Sequence, residues 1–219
     1  AARRADPLDA RSLHELYLLR VWEGDASAAR AAAAELDRLL ADSIPNLLEL
    51  ALDYVDSGLW KEAAAVLGPR VLEAGAGANP LPAYLLAYVL HRYGQPEEAG
   101  RLLKQAASLP SERVFPFELE FIDVFEWAMK ENPADGRAPY DLGNLLFDLQ
   151  PDRAISAWER ARELDPAFPT VHRNLGLAYA RVRNDLPAAI DSLERAVAVD
   201  PKDARLYYEL DLLYEAAGV

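Results

Sequence analysis

The chain has 219 residues, 52% of them hydrophobic, and a formal net charge of −13. That length and apolar content suffice for a sizeable core, in one or two domains or one elongated array, and they exclude a disordered chain. The charge argues against nucleic acid as a partner, since phosphate binding needs clustered Lys and Arg; the absence of cysteine excludes disulfides, thiolate metal sites and a cysteine nucleophile.

The opening residues, AARRADPLDARS, lack the apolar core of a signal peptide and contain no initiator Met, the only Met being Met129. They suggest a chain cut from something longer. Nineteen Arg against four Lys, with abundant Ala, suggest a GC-rich bacterial genome. From Leu13 the pattern becomes helical. LHELYLLRVWEGDASAARAAAAELDRLL carries Leu16, Gly24, Ala29 and Leu36. LLELALDYVDSGLWKEAAAVL repeats that order with Leu50-Ala51, Tyr54, Gly58, Ala63 and Leu67. AYLLAYVLHRYGQPEEAGRLLKQAASL repeats it again with Leu86-Ala87, Leu90, Gly94, Ala99, Leu103 and Ala106. Gly24, Gly58 and Gly94 stand where first helices end and a left-handed C-cap favours glycine. The longest apolar run, Leu81 to Leu90, falls short of the ~20 residues of a membrane-spanning helix. Membrane insertion is therefore not expected, and a cytoplasmic location is.

SERVFPFELEFIDVFEWAMKENPADG, residues 111–136, predicts one helix only, from about Phe117 to Lys130. Phe121, Phe125 and Ala128 precede Pro133 with the spacing of a second helix that has no first. The expectation is a lone helix dividing the array, with Phe115, Phe117, Phe121, Phe125 and Trp127 filling the seam, and an exposed aromatic binding patch as the alternative. Residues 111–166 hold 13 acidic and 6 basic side chains; they read as a solvated acidic surface, with a groove for a basic partner as the sharper alternative.

The clearest repetition follows. APYDLGNLLFDLQPDRAISAWERARELDP, residues 138–166, aligns with PTVHRNLGLAYARVRNDLPAAIDSLERAVAVDP, residues 169–201. Leu142, Gly143, Leu146, Ala154, Trp158, Ala161 and Pro166 match Leu175, Gly176, Tyr179, Ala189, Leu193, Ala196 and Pro201. Gly143 and Gly176, inside helices, predict close approach of two backbones. The inter-helix loop is one residue short in the first unit and one long in the second. ARLYYELDLLYEAAG, with Leu210, Tyr214 and Gly218, is a first helix without a second.

These positions resemble the tetratricopeptide repeat, a helix-turn-helix unit of about 34 residues. The resemblance implies an all-α, tetratricopeptide-type α-solenoid: a right-handed superhelix of antiparallel helix pairs with about twelve helices. Residues 1–110 form three degenerate repeats, 111–136 the unpaired aromatic helix and linker, 137–201 two well-formed repeats, and 202–219 a terminal capping helix. More narrowly, VFPFELE, ENPADGRAPYDLGNLLFD, AISAWERARELDPAFPTVHRNLGLAYA and DARLYYELDLLY are similar to the C-terminal helical region of large bacterial proteins carrying domain-of-unknown-function family 5107. That resemblance implies a larger protein linked to carbohydrate and no catalytic residues in this region.

No motif points to an enzyme. His14, His91 and His172 have no partner at metal-ligand spacing and read as surface or capping residues. The glycines at residues 75–80 lack a following GK[ST] and read as a turn. Acid pairs such as Glu118 with Glu120, or Asp148 with Asp152, are common by chance among 36 acids and lie on helix surfaces that do not desolvate them. The four Trp are too dispersed for a stacking platform. No cofactor and no metal are expected. In co-chaperone members of the tetratricopeptide family a carboxylate clamp of Lys, Asn, Asn, Lys and Arg holds a peptide C-terminus. The matching positions here are Tyr140, Asn144, Asn174, Arg205 and Glu209. Tyr140 replaces the first Lys and Glu209 reverses the last charge, so a carboxylate there would be repelled. The partner-binding groove expected from this pattern comprises Tyr140, Asn144, Arg173, Asn174, Arg205 and Glu209, for some other acidic or polar segment. The expected partner is a protein or peptide, or the chain's own N-terminal domain, with self-association left open. The function expected is that of a non-catalytic interaction or scaffolding module, or the architectural part of a carbohydrate-active enzyme.

Overall fold

A computed structural model describes residues 9–40, 43–73, 79–110 and 114–218. Among them are twelve α-helices: α1 Ala10–Trp22, α2 Ala26–Leu40, α3 Ile44–Asp56, α4 Trp60–Glu73, α5 Leu81–Arg92, α6 Pro96–Ala107, α7 Phe121–Glu131, α8 Arg137–Leu146, α9 Pro151–Leu164, α10 Pro169–Ala178, α11 Leu186–Val199 and α12 Ala204–Ala217. Helices adjacent in sequence pack on one another from α1 to α6 and again from α7 to α12, most closely within the pairs α1–α2, α5–α6, α8–α9 and α10–α11. This is an all-α solenoid of tetratricopeptide type. No helix among the described residues is long and apolar enough to cross a membrane. The glycine-rich turn falls mostly outside the described residues.

Short local signals set the helix ends. Asp9, Asp25, Ser43 and Asp185 accept from backbone N–H groups three residues on, satisfying donors that a helix leaves unpaired. Pro96, Pro151 and Pro169 open α6, α9 and α10, where the missing N–H costs nothing. Gly24, Gly58 and Gly94 have φ of 77°, 69° and 86°, the left-handed caps expected of them.

The extra residue of the 169–201 unit does not lengthen a loop. It is absorbed in a π-helical turn, Tyr179–Arg183, that continues α10 and ends at left-handed Asn184 with φ 52°. The unit thus keeps its packing face and takes up one residue as a wider turn.

Gly143 and Gly176 are close-packing positions. A Cβ on Gly143 would lie 2.5 Å from Cδ1 of Trp158, and one on Gly176 would lie 2.8 Å from Cγ of Leu193. Trp158 is buried and its indole Nε1–H donates to Tyr140 O and to Asn144 Oδ1, each at 3.2 Å. Its ring therefore cannot swing away from α8 without losing those bonds.

The unpaired helix starts at Phe121, later than its sequence suggests. Pro116 disfavours helical geometry at Phe115, and the chain turns through Glu118 and Leu119, whose carbonyls accept from the N–H groups of Phe121 and Ile122. The five aromatics divide. Phe121 and Phe125 are fully buried, whereas Phe115 and Phe117 are 71% and 65% exposed. The expectation that all five fill a seam is corrected here: in the extended stretch side chains alternate, so Val114 and Pro116 turn inward and Phe115 and Phe117 outward. α7 packs on α5 on one side and α8 on the other. Buried apolar residues form one cluster from Leu13 to Ala157, which includes Phe121 and Phe125, and a second from Tyr140 to Leu213.

Candidate functional site

The helices α8, α10 and α12 carry the residues picked out for a groove. Asn174 on α10 donates from Nδ2 to Asn144 Oδ1 on α8 at 3.1 Å. One residue earlier, Arg173 forms a bidentate pair with Glu209 on α12: Nε donates to Oε2 at 2.8 Å and Nη2 to Oε1. Both side chains are mostly buried, 25% and 13% exposed. The structure thus joins Asn144, Asn174, Arg173 and Glu209 into one polar row across three successive first helices. Glu209 does not stand as a lone repelling charge, because Arg173 neutralises it.

Tyr140 requires a correction. It is 2% exposed, and its ring lies 4.6 Å from that of Phe168, inside the core rather than along a groove. The alignment placed it correctly on α8, but Pro139 and Tyr140 sit on the side that meets the following repeat, so its matched position holds a core ring. Arg205 is exposed and stands apart from the row, with Nη2 donating to Asp203 Oδ2 at 2.8 Å. That bond and the Arg205 backbone N–H hold the Asp203 carboxyl below its ordinary range. Asn144 is itself committed on its oxygen, which accepts from both Trp158 and Asn174. Its buried Nδ2 has no partner among the described residues.

Two of the three histidines are not surface residues: His14 and His172 are 2% and 3% exposed, whereas His91 is half-buried against Trp127. His172 Nε2–H donates to the Pro166 carbonyl at 2.8 Å, tying α10 to the loop before it. His14 Nδ1 lies 3.0 Å from the Tyr54 hydroxyl, and burial pushes its pKa down. First helices present one side to the preceding pair, and an imidazole with one internal hydrogen bond is tolerated there.

Two arrangements have no clear sequence signal. Asp135, nearly fully buried, accepts from the Tyr84 hydroxyl at 2.8 Å and from the backbone N–H groups of Arg137 and Ala138. Burial raises its pKa against the pull of those bonds, and the residue joins α5 to the start of α8. Asp135 followed by helical Arg137 and Ala138 is an N-cap pattern, but Tyr84, 51 positions earlier, is invisible to it. The second arrangement is aromatic. Trp60 and Trp127, far apart in sequence, both meet Tyr88, at 6.5 and 5.7 Å between centroids, and Arg92 lies 4.6 Å over the Trp60 ring. Trp60 and Trp127 meet through Tyr88, each edge-on to it, because α7 packs on α5. The acid pairs Glu118 with Glu120 and Asp148 with Asp152 are not desolvated; at least one member of each is exposed. No group of three His, Asp or Glu among the described residues could hold a metal ion.

The helix pairs and their small-residue contacts define an α-solenoid of the tetratricopeptide type. No protein-family model matches the chain, so the narrower likeness to domain-of-unknown-function family 5107 gains no support. The chain is 27% identical over 150 residues to the general transcriptional corepressor ssn6 of Schizosaccharomyces pombe, spanning 67% of this chain but 13% of that protein. Similar solved structures include YrrB, a TPR protein with an unusual peptide-binding site, at 20% identity and TM-score 0.40, covering 100% of this chain and 96% of that one. A MamA crystal structure is 21% identical at TM-score 0.40, covering 85% and 95%. A MamA double mutant is 20% identical at TM-score 0.45, covering 80% and 84%.

Proposed function

We propose that the chain is a non-catalytic protein-interaction or scaffolding module that uses the first-helix surface of α8, α10 and α12. The observation that carries this is the polar row Asn144–Asn174–Arg173–Glu209, held rigid by internal bonds and flanked by exposed Arg205. A surface already ordered before binding avoids the entropic cost of arranging those side chains around a ligand. The second Nδ2 hydrogen of half-buried Asn174 and the exposed guanidinium of Arg205 suit a polar or acidic protein segment. The acidic stretch around α7 and the two blocks on either side of it fit the same scaffolding role. By its resemblance to the family 5107 strings the module would belong to a larger bacterial protein linked to carbohydrate, packed on its own N-terminal domain or on a second copy.

The test is selection of random peptides displayed on phage against the immobilised chain, followed by fluorescence anisotropy with a selected peptide. Asn174→Ala and Arg205→Ala should each weaken binding at least about tenfold, the loss of a charge-assisted or amide hydrogen bond, with helical content unchanged. Failure to enrich any sequence over a scrambled control, or binding that ignores both substitutions, refutes the groove.

A further inference from the structure

An open cavity of about 450 Å³ lies between α7, α8 and α9; Glu126 and Met129 of α7, Leu142 and Leu146 of α8, and Asp152, Arg153, Ser156 and Ala157 of α9 line it. It lies on the face of α8 opposite Asn144, since residues two apart on a helix point apart, and is independent of the groove proposed above. Comparison of the repeats explains why it is there. A shift of 33 positions lays Phe121, Phe125, Ala128 and Pro133 of the α7 segment on Ala154, Trp158, Ala161 and Pro166 of the α9 segment, and Leu142-Gly143 on Leu175-Gly176. In the same register Glu126 falls on Glu159, Met129 on Arg162 and Leu146 on Tyr179.

In the later repeat this place is occupied from within. Tyr179 is buried, its hydroxyl donates to Glu159 Oε1 at 2.7 Å, and Arg183 Nη1 donates to the same oxygen at 3.3 Å. In the earlier repeat the carboxylate remains and a guanidinium from another position reaches it: Arg183 falls on Gln150, and Arg153 Nη2 donates to Glu126 Oε1 at 2.6 Å instead. The phenol is what is missing. Leu146 ends where the ring of a tyrosine would continue, and the cavity takes that space.

We propose that this cavity is a docking site for a tyrosine side chain of a partner protein, its ring lying on Met129, Leu142 and Leu146 and its hydroxyl donating to Glu126. The thioether of Met129, in place of Arg162, favours an aromatic ring over an aliphatic chain. A carboxylate at the rim favours an O–H donor, through a charge-assisted bond that phenylalanine cannot make. Arg153 stays in its pair with Glu126, as Arg183 does beside Glu159.

Met129 is the only methionine in the chain, so labelling with methyl-¹³C methionine places a single reporter on the cavity wall. The probe is N-acetyl-L-tyrosinamide, with N-acetyl-L-phenylalaninamide as its comparison. The tyrosine amide should shift the Met129 methyl signal saturably at concentrations on the order of millimolar, the range for a ligand of that size. The phenylalanine amide, and the tyrosine amide with Glu126→Ala, should bind at least about fivefold more weakly, as expected for one lost hydrogen bond. Leu146→Tyr fills the cavity from inside and should abolish the shift. Equal response to the two amides, an unmoved Met129 signal in folded protein, or full binding by folded Leu146→Tyr overturns the proposal. Should Leu146→Tyr fail to fold, the amide comparison and Glu126→Ala decide it.

Discussion

Replacing Gly143 tests the packing account most directly, because propensity and packing predict opposite signs. In an exposed helix interior Gly→Ala stabilises by about 1 kcal/mol. At Gly143 the new methyl would sit 2.5 Å from Cδ1 of Trp158, an indole that is buried and anchored by two hydrogen bonds. Overpacking costs about 1–3 kcal/mol, and if the indole is displaced its unpaired N–H costs about 1–3 kcal/mol more. With the indole displaced, Gly143→Ala should therefore destabilise by about 1–5 kcal/mol net, and Gly143→Val by more. Gly100 on α6 is the internal control, since a Cβ there meets nothing within 4 Å; Gly100→Ala should stabilise by about 0.4–1 kcal/mol. Equilibrium urea unfolding followed by helical circular dichroism measures both. Trp158→Leu should remove most of the Gly143→Ala penalty, appearing as a coupling of about 1 kcal/mol or more in the double-mutant cycle. Equal, small effects at Gly143 and Gly100, or a coupling near zero, would refute the reasoning.

The Arg173–Glu209 pair spans α10 and α12 and is largely buried, so either single alanine substitution should destabilise by about 1–3 kcal/mol by stranding the other charge; the exchanged pair Arg173→Glu with Glu209→Arg should recover part of that in the same unfolding assay. His14 has a folded-state pKa below its ordinary value because it is buried. Its contribution is present above the unfolded pKa of about 6.5 and is lost as pH falls from there through the folded pKa, at up to about 1.4 kcal/mol per pH unit. Thermal melts across that range should show the loss in the native chain and a flatter profile for His14→Phe, and identical profiles would contradict it. Asp135→Ala removes the cap of α8 and leaves the Tyr84 hydroxyl without its acceptor, so it should cost about 2–4 kcal/mol; Tyr84→Phe in that background should restore part of it, and an additive pair would exclude the shared role.

Periodicity made the architecture legible. Leu-Gly, Ala and Asp-Pro recur in the same order with constant spacing inside each helix, and that spacing survives even where residues drift, so α3 to α6 could be phased from the two good repeats. The left-handed caps and the close contact at Gly143 were legible because backbone geometry restricts the residue. What stayed hidden depends on which neighbour a side chain meets. Tyr140 occupies a matched position yet packs on Phe168, Phe115 and Phe117 turn outward because their stretch is extended, and Trp60 and Trp127 converge on Tyr88 because α7 packs on α5. Tyr84 and Asp135 illustrate the same limit, since either alone reads as an ordinary core phenol or cap. A one-residue insertion likewise names no place for itself, and the chain puts it in the π turn after Tyr179. In a repeat protein the shared positions therefore specify the fold, and they are uninformative about partners because every unit has them. The information about function lies in the differences between matched positions. Leu146 against Tyr179 opens a cavity in one unit that the next unit fills, and Glu209 against the basic residue of a clamp turns an anion site into an internal ion pair with Arg173.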